Sequence, residues 1–295
     1  MALGYEGHVK LGSTYVLGTG TSVPRNRNKV EASSAYGGRI NAPSSEIGIG
    51  LPRAYDWEIW DGSINFDITQ DIFTDELKSW PFDRQSAKEV FFAPRGAGEQ
   101  QFLNSFFTSI SLSASDGGLC EGSLSFVALE RDSYVYGDKY IDNDEGEGLL
   151  CPSGTFPPPL NPSPDFNQNP VPFWNTRVTL EGAEYEFITW SLEFSQEVVK
   201  FFACENSATP AEPRYLAVGP MTINLTGSYM ADFLATPEFP GDSLTDAIIY
   251  IGDDGFKLTD LEATTESDDV QTAETLVPLN IDYTAYGIEL VAFGG

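Results

Sequence analysis

The chain has little histidine and little cysteine, and each shortage excludes a class of chemistry. Its 295 residues include one histidine, His8, and the three cysteines Cys120, Cys151 and Cys204. A single histidine excludes multi-histidine metal sites and leaves His8 as the one possible base for a Ser-His-Asp or Cys-His site. His8 lies in a polar, Gly-flanked stretch, so we interpret it as a solvated or contact histidine rather than a catalytic one. Because no two cysteines are spaced as Cys-x-x-Cys, we expect buried free thiols rather than a disulfide framework or a zinc knuckle.

Positive charge is also scarce. Lys and Arg number 16 against 44 Asp and Glu, which gives a formal net charge of −28 and a pI near 4.1. The densest basic group is Arg25, Arg27 and Lys29. Proteins that bind phosphates need clustered Lys and Arg, so ordinary nucleic-acid binding is excluded. Hydrophobic residues at 41% and aromatic residues at 13% nevertheless supply enough apolar material for more than one core.

Two further absences concern membranes and nucleotides. No apolar run approaches the roughly 20 residues that span a bilayer, and the first residues lack a basic segment followed by an apolar one. We therefore expect synthesis in the cytoplasm and no membrane segment. The stretch 18–23 lacks the third glycine of a dinucleotide-binding loop, and no phosphate-binding loop is present, so nucleotide binding is not expected.

Apolar and polar residues alternate with period two in many parts of the chain, which predicts half-buried strands. Helical signals are short and fall at 74–80, 100–107 and 243–249. The predicted fold class is therefore mainly β, either all-β or α+β, with antiparallel strands and small helices. The predicted buried positions are Ile64, Phe66 and Ile68; Ile110, Leu112 and Ala114; Leu124, Phe126 and Ala128; Ile188, Trp190, Leu192 and Phe194; Met221, Ile223 and Leu225; Leu279, Ile281 and Tyr283.

A proline-rich segment divides the chain. Residues 152–172 read as a stiff extended connector, because proline fixes φ and lacks the donor that a strand ladder needs. We predict a first β domain over 1–151, which begins with an arm of about 50 residues, and a second β domain over 173–295. The acidic loop 142–148 before the connector has the wrong spacing for an EF-hand and is interpreted as a solvated loop.

The two halves resemble one another weakly. Ser63–Asp67 matches Ser191–Ser195 as Ser, aliphatic, polar, Phe, polar, and Glu89–Ala93 resembles Glu197–Ala203. We interpret these matches as the trace of a duplicated β domain.

The sequence gives only weak evidence for catalytic or binding residues. Asp253–Asp254 and Asp268–Asp269 are adjacent acids, and a glycosidase needs two acids about 5 to 10 Å apart. Both pairs lie in polar segments, where solvated loops are the simpler reading. Exposed aromatic faces could stack on sugars, but tryptophans in strand patterns more often serve in cores. No catalytic, cofactor-binding or metal-binding residue is predicted. The sugar-platform candidates are Trp57, Trp60, Trp80, Trp174 and Trp190.

Four stretches resemble the tail tube, or major tail, proteins of long-tailed bacteriophages. They are Ser191–Phe194, Glu212–Tyr229, Glu31–Gly38 and Ile281–Gly287. In that family a strand is followed by a Pro-Arg segment, a glycine and a Thr-alternating strand that ends in Gly-Ser. The resemblance covers about 185–295 best and has no catalytic signature.

The resemblance implies a structural virion protein and not an enzyme. It implies two tandem β-sandwich domains, each with a short flanking helix, whose strands join an inner β-barrel in an assembled ring. Most members have one domain, so three duplicated chains would complete a six-domain ring with pseudo-sixfold symmetry, and rings would stack into a tube. The implied partners are further copies of the chain, the terminator, baseplate and tape measure proteins, and a sheath where the tail has one.

The resemblance also implies a role for the excess of acidic residues. A channel lined by carboxylates repels double-stranded DNA, so the phage genome would pass without specific binding. Asp67, Asp71, Glu193 and Glu197 are candidates for the channel lining, with a solvated outer face as the alternative for each. The alternative functions are a baseplate hub, a tube initiator or a tail terminator, and, from a different class, a β-sandwich carbohydrate-binding protein or glycosidase.

Overall fold

The computed structural model describes residues 8–22, 25–31, 53–93, 99–134, 169–202, 213–232, 243–264 and 276–292. Within these ranges the fold is mainly antiparallel β, as predicted, with one short helix. The strands are β1 (His8–Leu11), β2 (Thr14–Ser22), β3 (Arg25–Glu31), β4 (Arg53–Asp67), β5 (Lys88–Ala93), β6 (Glu99–Ser115), β7 (Cys120–Tyr134), β8 (Thr176–Leu180), β9 (Ala183–Glu184), β10 (Phe187–Phe202), β11 (Pro213–Asp232), β12 (Ser243–Ile251), β13 (Asp254–Ala263) and β14 (Leu276–Ala292).

The first half of the chain forms a closed path of paired strands. Going round, β1 pairs with β2, β2 with β4, β4 with β7, β7 with β6, β6 with β5, and β5 with β1. Strand β3 continues the line of β2 and pairs with the other end of β4. Closure leaves few free edges, because each of the six strands in the path is hydrogen-bonded on both sides along part of its length, whereas β3 pairs with β4 alone among the described strands.

The second half repeats this arrangement in the same chain order. Strand β8 pairs with β9 and β12, β10 with β11, β11 with β14, β14 with β13, and β13 with β12. Strands β9 and β10 follow one another along one line, as β2 and β3 do. The corresponding elements are β1 and β8, β2 with β3 and β9 with β10, β4 and β11, β5 and β12, β6 and β13, and β7 and β14.

Local irregularities recur at corresponding places as well. The turn after β1 has positive φ at Gly12, and the turn after β8 has positive φ at Glu181. In the strands that correspond to each other, Asn104 of β6 has φ 51° and Asp260 of β13 has φ 53°. The pairings of β2 with β4 and of β10 with β11 each shift register, between Gly18 and Gly20 in the first and between Phe187 and Thr189 in the second. The two halves therefore share several bends as well as their strand order, although the turn after β8 also has positive φ at Gly182 and the register shift between β6 and β7 has no counterpart between β13 and β14.

The halves join through one strand pair and share one core. Ser109–Ser115 of β6 pair with Thr189–Ser195 of β10, so hydrogen-bonded strands run without a break from β4 through β14. On the buried side of this sheet, three of the predicted triplets are buried throughout: 64, 66 and 68; 110, 112 and 114; and 124, 126 and 128. Trp190, Leu192, Phe194, Ile223, Leu225, Ile281 and Tyr283 are also buried as predicted, whereas Ile188 and Met221 are only half-buried.

A short helix packs against both halves. Helix α1 (Gln70–Ile72) begins at Thr69, whose side chain accepts a hydrogen bond from the Ile72 amide, and continues as a π-helical turn, Phe73–Leu77. This helical segment overlaps the predicted helix at 74–80 over residues 74–77. Phe73 meets the Phe256 ring of the second half edge-on at 5.6 Å, and Trp80 stacks on Phe107 of the first half at 6.2 Å. Burying each aromatic ring contributes on the order of 1.5–3 kcal/mol.

Two of the helix predictions are wrong, since 100–107 lies in β6 and 243–249 in β12. In both cases buried side chains switch phase within a strand. Phe102 and Ser105 are buried three residues apart, as are Leu244 and Ala247, and this spacing resembles a helix. The residues between the corresponding strands β11 and β12, where a second flanking helix would fall, lie outside the described residues.

The end of the predicted connector belongs to the first half. Val171 is buried; its amide donates to Ile68 at 2.7 Å, and its carbonyl accepts from the Cys120 amide at 2.8 Å. Pro170 and Pro172 on either side lack donors but are bridged to Thr69 and Leu119. The rest of 152–172, the loop 142–148, Asp268–Asp269, Cys151 and Cys204 lie outside the described residues. Of the predicted arm, residues 8–22 and 25–31 form strands β1, β2 and β3, and Val9, Leu11 and Val16 are buried in the core. The remaining residues of the predicted arm lie outside the described residues.

The strand pairing does not align Ser63–Asp67 with Ser191–Ser195, because the two segments lie in strands that do not correspond to each other. The first segment lies in β4 and the second in β10, and these are neighbours of the corresponding strand pairs rather than counterparts. The pairings instead equate β10 with β2 and β3.

Candidate functional site

On the side of the central sheet opposite the core, polar and acidic side chains form a continuous surface over the middle of strands β4, β7, β6, β10, β11 and β14 and the end of β13; apolar residues such as Val127 and Leu290 lie beyond it on the same side of their strands. We call this surface the polar face, and none of its side chains is buried. Its members are Ser63, Asn65, Asp67, Ser109, Ser111, Ser113, Ser115, Glu121, Ser123, Ser125, Thr189, Ser191, Glu193, Ser195, Thr222, Asn224, Thr226, Ser228, Asn280, Asp282, Thr284, Glu262 and Thr264.

The polar face is ordered in rows that cross both halves of the chain. Strand pairing places members of a row directly opposite one another, where side chains on one face interact. One row reads Asp67, Glu121, Ser113, Ser191, Thr226, Asp282, Thr264. The next reads Asn65, Ser123, Ser111, Glu193, Asn224, Thr284, Glu262.

Hydrogen bonds link neighbouring strands across the second half of the polar face. The Thr284 hydroxyl donates to Asn224 at 3.1 Å, and the Thr264 hydroxyl donates to Asp282 at 3.3 Å. Tyr286, next along β14, donates to Glu262 at 3.0 Å, and this hydrogen bond raises the pKa of the Tyr286 phenol. Hydrogen bonds of this kind between neighbouring strands restrict the rotamers of the side chains that form the surface.

The charge of the polar face has one sign. Its charged members are Asp67, Glu121, Glu193, Asp282 and Glu262, and no Lys or Arg is among its members. Burial raises the pKa of the Asp67 carboxyl, and the negative charge of Glu121, directly opposite, raises it further. The face therefore repels anions.

The basic side chains whose ion pairs are described belong to other surfaces. Lys78 bonds to Asp254 at 2.9 Å beside the helix, and Lys257 bonds to Asp246 at 3.2 Å on β12 and β13. Each of these cations has an acid as partner, and so does Arg177, which pairs with Glu184. None of them offsets the charge of the polar face.

A groove of about 540 Å³ runs across the polar face at the joint between the halves. Ser113 and Ser115 line one side, Thr226 and Ser228 the other, and Glu121 and Asp282 stand at its margins. Its polar lining consists of hydroxyl, amide and carboxylate groups, and Leu119, Trp190 and Ile281 add apolar surface. The lining contains no Lys or Arg that could bind a phosphate.

Two of the four predicted channel-lining acids lie on this face and two lie elsewhere or at its border. Asp67 and Glu193 are members of neighbouring rows. Asp71 is exposed on helix α1, away from the sheet. Glu197 is exposed at the register shift in β10, beside Gly219, where the regular rows end. Glu121, Asp282 and Glu262 were not singled out, although the period-two patterns around 124 and 281 already placed Glu121 and Asp282 on the solvent side.

The sugar-platform residues are dispersed. Trp80 and Trp190 are core residues, at 1% and 2% exposure, and the Trp190 indole donates to Thr176 at 3.0 Å. Trp174 is 81% exposed in a 3-10 turn, Phe173–Asn175. The backbone of Trp57 and Trp60 lies in β4. Trp80 and Trp190 therefore offer no face to a sugar.

The remaining candidates for chemical function, Asp254, His8 and Cys120, lie in positions where each has a structural role. Asp254 begins β13 and accepts hydrogen bonds from Lys78 and Thr74, which hold the pKa of its carboxyl below the usual range. His8 lies in β1, and Cys120 is a buried thiol whose pKa burial raises. Over the described residues, no three His, Cys, Asp or Glu side chains are placed to share a metal ion.

No protein-family model matches the chain, and no curated protein sequence matches it either. In the described part of the chain, no helix has both the length and the apolar character needed to cross a membrane.

Proposed function

We propose that the chain is the tail tube subunit of a long-tailed bacteriophage, a structural protein without catalysis, in which two tandem domains occupy two positions of a ring. Three chains then complete a ring with pseudo-sixfold symmetry, and rings stack into a tube through which DNA passes. The observation that carries the proposal is the polar face, a continuous antiparallel surface whose charges are all negative. Its place of action is the virion.

The tandem arrangement is supported by the repeated pairings. The two halves share strand order, the positive φ at Gly12 and Glu181, and the positive φ at Asn104 and Asp260. Similar bends on strands with the same pairing order are what a duplication would leave. Because β6 of one half pairs with β10 of the other, the two domains already form a continuous arc of sheet, as neighbours in a ring would.

The polar face suits a conduit for a polyanion. Double-stranded DNA carries one negative charge per roughly 1.7 Å of axis. In water, each carboxylate repels a phosphate 10 Å away by about 0.4 kcal/mol before salt screening. Many such weak repulsions keep DNA off the wall, while the surrounding serine and threonine hydroxyls hold water on it. The surface thus has no deep binding well to stop a moving strand.

The assembly is tested by negative-stain electron microscopy and light scattering of the purified full chain over a range of concentrations and salt. The expected result is rings or tubes with a central channel and a ring mass of three chains. A monomer under every condition, with a sugar bound in isothermal titration, contradicts the proposal and favours the carbohydrate-binding alternative.

The conduit role is tested by reversing charges on the polar face. In the variant Asp67→Lys/Glu193→Lys/Asp282→Lys, assembled tubes should bind linear duplex DNA at low salt, because the channel wall now attracts phosphates. Each phosphate neutralised adds a slope of about −0.9 to the dependence of log K on log salt. The measurement is co-sedimentation of labelled DNA with tubes at several salt concentrations.

The matched control is Asp71→Lys/Asp83→Lys/Glu289→Lys, which changes net charge equally at exposed acids away from the polar face. A closed circular duplex supplies the second control, because it has no end that can enter a channel. We expect the first variant to bind linear DNA and leave circular DNA in solution. Equal binding of both DNA forms, or equal binding by the control variant, would place the reversed residues outside the channel.

A further inference from the structure

The strand ladder that joins the two halves constrains their relative angle poorly. It consists of Ser109–Ser115 of β6 paired with Thr189–Ser195 of β10. The rotation between adjacent strands varies from about −10° to −35° among sheets, and this rotation is linked to curvature when a sheet closes. In a closed ring the bend decides the number of members, since six domains need about 60° at each domain and eight need about 45°. The ladder by itself therefore fixes neither the bend between the halves nor the size of a ring.

A second connection between the halves lies on the core side of the joint. It is formed by residues 69–84, the segment that contains α1 and the π-helical turn after it. We call this segment the brace. The brace belongs to the first half, because it connects β4 to β5, and its side chains contact both halves.

Aromatic rings connect the brace to both strands of the joint. Trp80 stacks on Phe107 of β6 with the ring centroids 6.2 Å apart. Phe73 meets Phe256 of β13 edge-on at 5.6 Å, and Phe256 in turn meets Phe194 of β10 at 5.3 Å. All five rings are buried. Because Phe107 precedes the paired part of β6 by two residues and Phe194 lies within that of β10, the brace holds both strands from the core side.

Polar contacts attach the brace to two strands of the second half. The Thr74 hydroxyl and the Lys78 ammonium group both donate to the Asp254 carboxylate, at 3.0 and 2.9 Å, where β13 begins. The Arg84 guanidinium donates to the Gly219 carbonyl of β11 at 2.5 Å. Strand β14 lies between β13 and β11 in the sheet, so the two attachments are well separated. Together they resist a rotation that one contact alone would allow.

We infer that the brace fixes the bend between the two halves and thereby sets the number of chains that close a ring. The ring rests on the proposed function, whereas the bend within one chain does not. A change of bend would separate the buried rings of Phe73 and Phe256 and break the ion pair of Lys78 with Asp254 at the same time. A chain with a loosened brace should keep its strands and its polar face and lose the single angle between its halves.

The bend is measured by pulsed electron paramagnetic resonance on the full chain, with one spin label on each half. The labels are attached to cysteines introduced at the exposed positions by Ala87→Cys and Glu289→Cys. Cys151 and Cys204 are replaced by serine, while Cys120 is kept because it is fully buried. With the brace intact we expect one narrow distribution of distances between the labels.

The brace is loosened by the variant Phe73→Ala/Lys78→Ala, which removes a buried ring and a cation from its contacts with the second half. We expect the distance distribution to broaden. Glu289 lies two strands beyond β10, about 10 Å at the usual strand spacing, so a change in bend of about 15° moves it by about 3 Å. A change of that size separates rings of three chains from rings of four. Negative-stain electron microscopy of the assembled variant should therefore show more than one ring size.

The matched control is Tyr229→Ala/Lys257→Ala, which also removes one buried ring and one cation, but within the second half. The Tyr229 ring packs against Tyr185 and Phe187, and Lys257 pairs with Asp246. This control should lower the melting temperature and keep the narrow distance distribution. Circular dichroism confirms that each variant retains its β structure before labelling.

A milder variant, Thr74→Val/Lys78→Ala, leaves the buried rings in place and decides the question if the first variant does not fold. Broadening in a brace variant and not in the control supports the inference. An unchanged distribution in a folded brace variant, or equal broadening in the control, overturns it and leaves the tube proposal standing. Rings of three chains only, formed by a variant whose distribution has broadened, overturn the link to ring size. Broadening in a chain that never forms rings supports the brace and contradicts the tube proposal.

Discussion

Replacing Gly122 by alanine should destabilise the protein, because an aromatic ring occupies the space above that glycine. Gly122 of β7 pairs directly with Phe66 of β4, and the Phe66 ring lies across it. A Cβ atom at position 122 would approach two ring atoms to 2.4 and 2.6 Å. Four residues further along the same strand pair the arrangement is mirrored, since the Phe126 ring of β7 covers Gly62 of β4. Aromatic rings that cover glycines on a neighbouring strand stabilise strongly bent sheets.

The size of the expected loss of stability depends on how little the Phe66 ring can move. Phe66 is 1% exposed, and the opposing ring Phe126 is held at 5.6 Å by Phe102. Forcing an extra methyl group into a packed core typically costs about 1–3 kcal/mol. For a chain of this size each kcal/mol shifts the melting temperature by roughly 2–4 °C, so we expect a decrease of about 2–12 °C.

The assay is thermal unfolding followed by circular dichroism, with urea unfolding as a second measure. The control is Gly20→Ala, also in a strand, where the nearest atom to the new Cβ is the Asn65 side-chain nitrogen at an ordinary 3.7 Å. That variant should keep or slightly raise stability, because alanine restricts the unfolded chain. The double variant Phe66→Leu/Gly122→Ala should lose less than the sum of its single changes. A melting temperature for Gly122→Ala equal to that of the control would refute the reasoning.

Two further predictions concern the helix that contacts both halves. Lys78 holds the pKa of Asp254 below its usual range, so this pair stabilises the fold above the unfolded pKa near 3.8 and the contribution is lost as the pH falls through the folded value. Asp254→Asn should therefore cost about 0.2–1 kcal/mol in urea unfolding at pH 7 and nothing in strong acid; an equal cost at both pH values would point to the hydrogen bond with Thr74 instead. Burial raises the pKa of Glu76, so its ionisation destabilises the fold as the pH rises through that value, and Glu76→Gln, which keeps an acceptor for the Ser13 amide, should be at least as stable as the parent at pH 7. Glu76→Ala removes the acceptor and should cost about 0.5–1.5 kcal/mol; stability equal to that of the glutamine variant would contradict this account.

Period-two alternation predicted the central sheet because its strands bury one face and expose the other. Ile64, Leu112 and Leu124 are fully buried where the pattern placed them, and the serines between them form the polar face. The same alternation already placed Asp67 and Glu193 on the exposed side. The pattern did not say that these exposed sides belong to one continuous surface, because that depends on which strands pair.

The two wrong helix predictions have related physical origins. In β6 the backbone turns to positive φ at Asn104, and in β12 the regular pairing is interrupted between Leu244 and Asp246, opposite the positive φ of Asp260 in β13, so in each strand the burial phase slips by one residue. A strand with such a slip shows apolar residues three apart, and three is also the spacing on a helix face. Asn and Asp tolerate this conformation better than most residues, so an Asx residue inside an ambiguous apolar run was the available sign of a bend rather than a helix.

The same slips explain why side-chain similarity between the halves does not follow the repeated strand pairing. Side-chain identity along one face is constrained only to be apolar, so Ser63–Asp67 and Ser191–Ser195 match as any two half-buried strands do. The bends are constrained more tightly, because a change of phase in one strand must be matched by its neighbours if the core is to stay closed. Gly12 and Glu181 therefore mark corresponding turns although their side chains share nothing, whereas the serine-rich strands look alike without corresponding. Between the two halves of this chain, positions of irregular backbone therefore follow the repeated strand pairing better than the side chains of regular strands do.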